Sequence, residues 1–435
     1  MPRQPKQRRA VAGRTLGCLV WLAAAVHEAS TAQPATTHDA PLLARAYGER
    51  PAFVQTLERL VRIETGTEHL EGLARLGDLL QAELAALGAR VERVPAEAPV
   101  RAADHLVARL RGQGGRRVLL MAHMDTVYPA GTLARAPFHI EGDTAWGPGV
   151  ADAKGGIALV LHALALMREL RLQDFGEIVV LFNSDEERGS MGSRRLIQQL
   201  AREADVVLSF EPTASPQETV PLGTSGIATV TATVKGRAAH AGAAPEAGIN
   251  ALVEAADLVL RTVGIDNLSD GLRFNWTGLR AGTEINVIPD EAILQANLRY
   301  ADASDLALAE QHLKQLSSKR LFAEATVDIR VDLGRPAFRA DAASKRLAAL
   351  AAELYAEAGG QMRLSPRWGG GTDIAYAALA GKPVLEGLGL PGGGFHSPGA
   401  EFADLSAIPR RLYLTVRMLA LLGATPEPTS AGRVH

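Results

Sequence analysis

In the stretch VVLFNSDEERGS (179–190) a run of apolar, β-branched residues stops at three successive carboxylates, Asp185, Glu186 and Glu187. At the mouth of a buried strand such neighbours repel one another and resist desolvation, so the arrangement calls for a positive charge. Four other stretches end in residues that could share it. RRVLLMAHMD closes with His123 and Asp125, which lie two apart and so point to one face of a strand. GPGVADAKGG sets Asp152 in a glycine-rich loop ahead of a helix, VVLSFEP supplies Glu211, and LPGGGFHSPGAE presents His396 in another glycine-rich loop. Two imidazoles with several carboxylates suit a hard-to-borderline cation. Asp152, Glu187 and Glu211 bring three negative charges, which one divalent ion leaves in excess. Two ions bridged by Asp152 and a hydroxide bring the set close to neutral, and such pairs sit about 3.5 Å apart in two-metal hydrolases. Adjacent carboxylates cannot share one direction, so one can bind metal while the other faces the bridging water.

Taken singly, each residue has a plainer reading. A lone histidine at a strand end is more often packed than ligating, Glu186-Glu187 could be a solvated loop, and Asp125 could cap a helix. The joint occurrence carries the weight, because all of these positions fall where α/β sheets build sites, at the carboxyl ends of strands. His162 lies within a helical pattern and reads as structural, and His69, His105, His139 and His312 have no companions that suggest ligation.

The elements that must hold these residues alternate. Helical spacing covers 52–64 and 69–88, strands flank the Gly-rich turn in DHLVARLRGQGGRRVLLMAHMD, and a helix–strand–helix–strand series runs to Glu211. That order indicates an α/β domain with a mainly parallel sheet and helices on both faces. After Glu211 the pattern becomes that of a half-buried antiparallel sheet. GIATVTATVKGRA, a helix over 247–263, two strands, a helix around 303–318 and ATVDIRVDL make a β-α-β-β-α-β unit inserted into the larger domain. The expected division is a catalytic part at 41–224, the inserted α+β, ferredoxin-like part at 225–336, and a second catalytic part at 337–424. The second catalytic part carries a helix at 341–358 and a last helix from about 405 to 421.

Lys+Arg 46 against Asp+Glu 48 gives a net charge of −2, which offers no basic field for a nucleic-acid partner. The N-terminus is basic (MPRQPKQRRAVAGR), then briefly apolar (TLGCLVWLAAAV), then rich in small residues. This is the layout of a signal peptide over 1–32, too short in its apolar run to span a membrane. It implies a periplasmic or secreted mature chain without a membrane anchor. Cys18 is the single cysteine, so the mature chain would hold no disulfide and no thiol chemistry.

The motif set AHMDTV, GPGVADAKGG, DEERGS, SFEP and GFHSPGAE resembles that of the dinuclear zinc exopeptidases, a family of glutamate carboxypeptidases, aminoacylases and dipeptidases. The likeness spans about residues 45–424 and is closest to the bacterial folate-cleaving glutamate carboxypeptidases. It implies two Zn2+ per subunit, with His123, Asp152 and Glu211 on one and Asp152, Glu187 and His396 on the other. Asp125 would orient His123, and Glu186 would serve as general base and then acid in hydrolysis by a metal-bridging hydroxide. The inserted domain would act as lid and homodimer interface. His240 would reach the partner subunit's active site, while Asn286 and Arg299 would take the α-carboxylate of a small N-acyl amino acid. Arg335 would take a glutamate side chain, and Gly370, Gly371 and Thr372 would offer backbone N–H groups. The family's side-chain pocket also holds a lysine and a serine where this chain has Thr219 and Pro221. That leaves open an aminoacylase or dipeptidase acting on other residues.

Overall fold

The computed structural model describes residues 39–367 and 369–424, so the leader expected at 1–32 lies outside the described residues. The chain starts with helices α1 (Ala40–Val61) and α2 (Leu70–Ala86), followed by strands β1 (Arg90–Val94), β2 (His105–Arg111) and β3 (Arg117–His123). Helix α3 (Lys154–Glu169), β4 (Glu177–Asn183), α4 (Arg194–Glu203) and β5 (Val206–Ser209) come next. The main sheet has the order β1-β2-β4-β3-β5, extended by the short strand Val384–Leu385. β4, β3, β5 and that last strand run parallel, whereas β2 is antiparallel to β4 and β1 to β2.

Insertion of the second unit follows β5. β6 (Gly226–Lys235), α5 (Ala251–Arg261), β7 (Arg273–Ala281), β8 (Glu291–Tyr300), α6 (Ala303–Ser317) and β9 (Thr326–Leu333) form an antiparallel sheet of order β7-β8-β6-β9. Helices α7 (Ala342–Glu357), α8 (Ile374–Ala378) and α9 (Ile408–Gly423) return the chain to the main sheet.

The period-two alternation of the strands decides the layers. Val118, Leu120 and Ala122 of β3 pack with α1, α3 and α9, while Leu119 and Met121 face α4 and α8. All of β4 is buried, as a strand covered on both faces must be. In the insertion, Ala228 and Val230 of β6 meet Ala309 and Leu313 of α6, and Ala232 and Val234 meet Ala255 and Leu258 of α5. Both helices therefore cover one face of that sheet. Asn250 caps α5 by accepting from Leu252 N (3.0 Å) and Val253 N (3.2 Å).

Two features differ from the sequence expectation. The first helix begins at Ala40 rather than 52, because Asp39 accepts from Leu42 N at 3.0 Å and caps it there, and Pro51 lies inside the helix. A small second sheet joins 139–141, 144–146, 402–404, 391–393 and 213–214. Its strands are two or three residues long, too short to leave a periodic trace. It fastens the segment carrying His396 against the segment leading to Asp152.

Candidate metal centre and substrate cavity

β3, β4 and β5 run parallel, so their carboxyl ends lie together and the loops beyond them meet. His123, the last residue of β3, is buried; its Nδ1 lies 2.9 Å from the main-chain oxygen of Asp125, which directs Nε2 at the Asp152 carboxylate, 3.0 Å from Oδ1. Glu211, just past β5, brings Oε2 to 3.6 Å from the same Nε2. On the other side of Asp152, His396 Nε2 sits 3.5 Å from Oδ2 and 3.4 Å from Glu187 Oε2. The two oxygens of one carboxylate thus face two imidazoles, each with a further carboxylate beside it. Ligand atoms of His123, Asp152 and Glu187 lie within 4.8 Å of one another. His396 adopts φ 61° in its glycine-rich turn and remains 56% exposed, so it forms the open wall of the cluster. The peptide between Asp152 and Ala153 is cis.

The donor set fits a divalent metal. Burial, then the charges of Asp152 and Glu186, push the Glu187 carboxyl well above the ordinary glutamate range. Burial also raises the Glu211 carboxyl. Such a cluster demands the positive charge that a cation would bring.

Asp125 does something the sequence did not suggest. Its carboxylate stands 3.5 Å from His123 Nδ1 but accepts from Glu186 N (3.1 Å), Glu187 N (3.1 Å) and Thr67 Oγ1 (2.8 Å). It therefore fixes the one-turn 3-10 segment Glu186–Arg188 that aims both glutamates. Glu401 was also missed, although it closes the GFHSPGAE motif. Its buried carboxylate accepts from Gly149 N (3.0 Å), Ala151 N (3.1 Å) and Asp152 N (3.0 Å), and so shapes the Asp152 loop.

A cavity of about 580 Å³ opens beside the cluster, lined among others by Glu186, Arg299, Arg335, Gly371 and Thr372. Arg299, on β8, bonds only the Asn297 side chain among the described residues, through Nε at 2.9 Å, so its Nη fork is free. Burial and then the charge of Arg335 lower its pKa, placing a second guanidinium close by. Arg335 is 4% exposed and already engaged by Glu186, Asp373, Ser190 and Gly371 O. Gly371 leaves no room for a side chain, since a Cβ would meet Ser225 O at 2.8 Å and Ile227 Cδ1 at 2.9 Å. Thr219 and Pro221 line the same cavity.

His240 and Asn286 are not brought to it. Ala239–His240 pairs with Val287–Ile288, and Ala241 N donates to Asn286 O at 2.8 Å, so the two residues share one exposed arm of the insertion. Arg299 and Asn286 therefore stand apart within one chain. His240 Nδ1 accepts from Gly242 N (3.2 Å) and Ala243 N (3.1 Å).

Glu386 was not singled out, though a lone acid ending the apolar PVLE run was the signal. It is buried in the cavity wall and accepts from Ser209 Oγ (3.0 Å), Thr372 Oγ1 (2.6 Å) and Gly387 N (2.9 Å). Burial, then the charge of Glu211, push its carboxyl up to about 8 from an ordinary 4.5. Between those values the folded chain keeps a proton that the unfolded chain releases, so its contribution to stability falls as pH rises through that window. In metal-free protein, Glu386→Gln is expected to flatten this fall. The variant should be more stable than the parent at pH 8 by about 3 kcal/mol and no more stable near pH 4.5. Urea unfolding at the two pH values checks it.

Carboxylates with one buried and one exposed imidazole at the carboxyl edge of a parallel sheet, beside a cavity with a free guanidinium and an inserted α+β unit, define a metal-dependent hydrolase. The chain belongs to Peptidase family M20/M25/M40, whose family model matches residues 119–421. It is 53% identical over 390 residues to Carboxypeptidase G2 of Pseudomonas sp. (strain RS-16), covering 90% of this chain and 94% of that one. A putative succinyl-diaminopimelate desuccinylase of Mycobacterium tuberculosis is 30% identical over 327 residues, 72% of this chain and 83% of the relative. The fold is shared with a tripeptidase from Staphylococcus aureus at TM-score 0.73 and 22% identity, over 86% of this chain and 98% of that structure.

Proposed function

We propose that this chain is a zinc-dependent carboxypeptidase that hydrolyses the amide bond to a C-terminal L-glutamate, as in folates and other N-acyl-glutamates. The observation that carries the reading is the free Nη fork of Arg299 in a cavity continuous with the candidate metal centre. A guanidinium fork matches a terminal carboxylate and would hold the substrate by its C-terminal end. His123, Asp152 and Glu211 would hold one Zn2+, and Asp152, Glu187 and His396 the other. Bound zinc supplies Lewis-acid polarisation of the scissile carbonyl and makes the attacking water more acidic. Glu186 takes the proton of that water and returns it to the leaving amine. Asp125 and Glu401 keep the carboxylates in register through the backbone N–H groups they accept.

The His240–Asn286 arm supports a homodimer in which each insertion serves its partner's cavity. Ile285 beside it is fully exposed, and Leu260 and Val263 of the same domain are 72% and 75% exposed, apolar side chains that a second copy would cover. In this reading the leader at 1–32 directs export to the periplasm or beyond; no helix of the described residues is long and apolar enough to cross a membrane. Amino-acid release from a panel of N-acyl amino acids by zinc-loaded protein tests the substrate. Glutamate should lead neutral residues by about tenfold or more. A lead of less than about threefold favours an aminoacylase or dipeptidase acting on other residues, which Thr219 and Pro221 in the cavity wall favour.

A further inference from the structure

Arg335 lies between two carboxylates of different standing. Nη2 is 3.2 Å from Asp373 Oδ1, and Asp373 is itself anchored by Asn183 Nδ2 at 2.6 Å and by the Ser190 hydroxyl. The same Nη2 donates to Ser190 Oγ at 3.0 Å and to the main-chain oxygen of Glu186 at 2.9 Å, while Nη1 donates to Gly371 O at 2.6 Å. These partners are backbone atoms or side chains held by others, so the fork cannot swing out into the cavity. The remaining partner is the Glu186 carboxylate, 2.8 Å from Nη1. Among the described residues that carboxylate has no other hydrogen-bond or ion-pair partner, and Glu186 and Arg335 both line the cavity.

Of all the groups on Arg335, only the base can leave without breaking a second contact. We infer that Arg335 is an exchange point: an acidic side chain on the departing residue displaces Glu186 from the guanidinium and so frees the base to work, whereas a neutral side chain leaves the base held. One carboxylate replaces another on a buried cation, so the exchange leaves neither guanidinium nor entering acid unpaired. The scheme rests on the carboxypeptidase reading given above. It differs from a simple binding pocket, because an acidic side chain then raises kcat as well as lowering KM.

The test compares zinc-loaded wild-type enzyme on two substrates with the same acyl group, one ending in glutamate and one in glutamine. kcat should be at least about tenfold higher for the glutamate substrate, and Arg335→Lys, which has no fork, should bring the two kcat values within about threefold. Crystals grown with L-glutamate should show the Arg335–Glu186 contact opened beyond about 4 Å, and crystals grown with L-glutamine should retain it. Equal kcat values with a difference in KM alone, or an intact contact with glutamate bound, overturn the exchange while leaving the carboxypeptidase reading in place. No turnover of either substrate overturns that reading and the exchange with it.

Discussion

Glu186→Gln is expected to lower kcat by about 10²- to 10⁴-fold with the metal content of the protein unchanged. Glutamine matches glutamate in shape, and the segment that carries it is held from outside. Asp125 accepts the main-chain N–H groups of 186 and 187, and Arg335 grips the carbonyl of 186, so neither contact depends on the side chain's charge. Glu187, the neighbouring candidate ligand, keeps its place beside His396. What the substitution removes is the ability to accept a proton. Burial has already pushed the Glu186 carboxyl well above the ordinary glutamate range, against the pull of Arg335, so the native residue is a stronger base than an exposed glutamate. Steady-state kinetics beside metal analysis of the same preparation makes the check; full turnover by a metal-replete variant would remove Glu186 from the base role.

Asp152→Asn should remove both metal binding and activity, and it should also erase the stabilisation that metal confers. Among the described residues, Asp152 is the one carboxylate whose two oxygens face both imidazoles, at 3.0 and 3.5 Å. In the metal-free chain the two histidines, despite burial, hold it well below the usual carboxylate range, so it is poised as an anion. A cation that binds the folded chain and not the unfolded one adds about 2.7 kcal/mol per site at a free concentration 100 times its Kd. Wild-type protein should therefore gain that much in urea unfolding when zinc is added and lose it again on chelation. The variant should unfold at one midpoint with or without zinc. A zinc-dependent midpoint in Asp152→Asn would mean that the metal is held elsewhere.

Much of this site could be read from the chain because metal chemistry restricts residue type and the α/β sheet restricts place. His123, Glu187 and Glu211 each follow an apolar run that could only be a buried strand, and Asp152 and His396 sit in glycine-rich loops that stood out by composition. The insertion was legible for a similar reason, since β6 alternates along its whole length. What escaped were groups whose work is done through backbone contacts. Nothing in sequence spacing links Glu401 to the N–H groups of 149, 151 and 152, or adds to Asp125, which stays 3.5 Å from His123 Nδ1, the N–H groups of the segment after β4. Arg335 was expected to be open to substrate, and its partners at 186, 190, 371 and 373 come from other elements that only the folded chain assembles. The start of α1 was placed late because the apolar spacing was read only over 52–64, whereas Asp39 caps the helix a dozen residues earlier.

The small sheet that fastens 391–404 to 139–146 has a bearing on biosynthesis. His123 and His396 face the same carboxylate from opposite ends of the polypeptide, so a nascent chain still on the ribosome can offer at most a fragment of the ligand cage. Completion of the ligand cage becomes a late event in the life of the molecule, after synthesis of nearly the whole chain, and a product truncated ahead of 391–404 would keep His123, Asp152 and Glu211 but be born without His396.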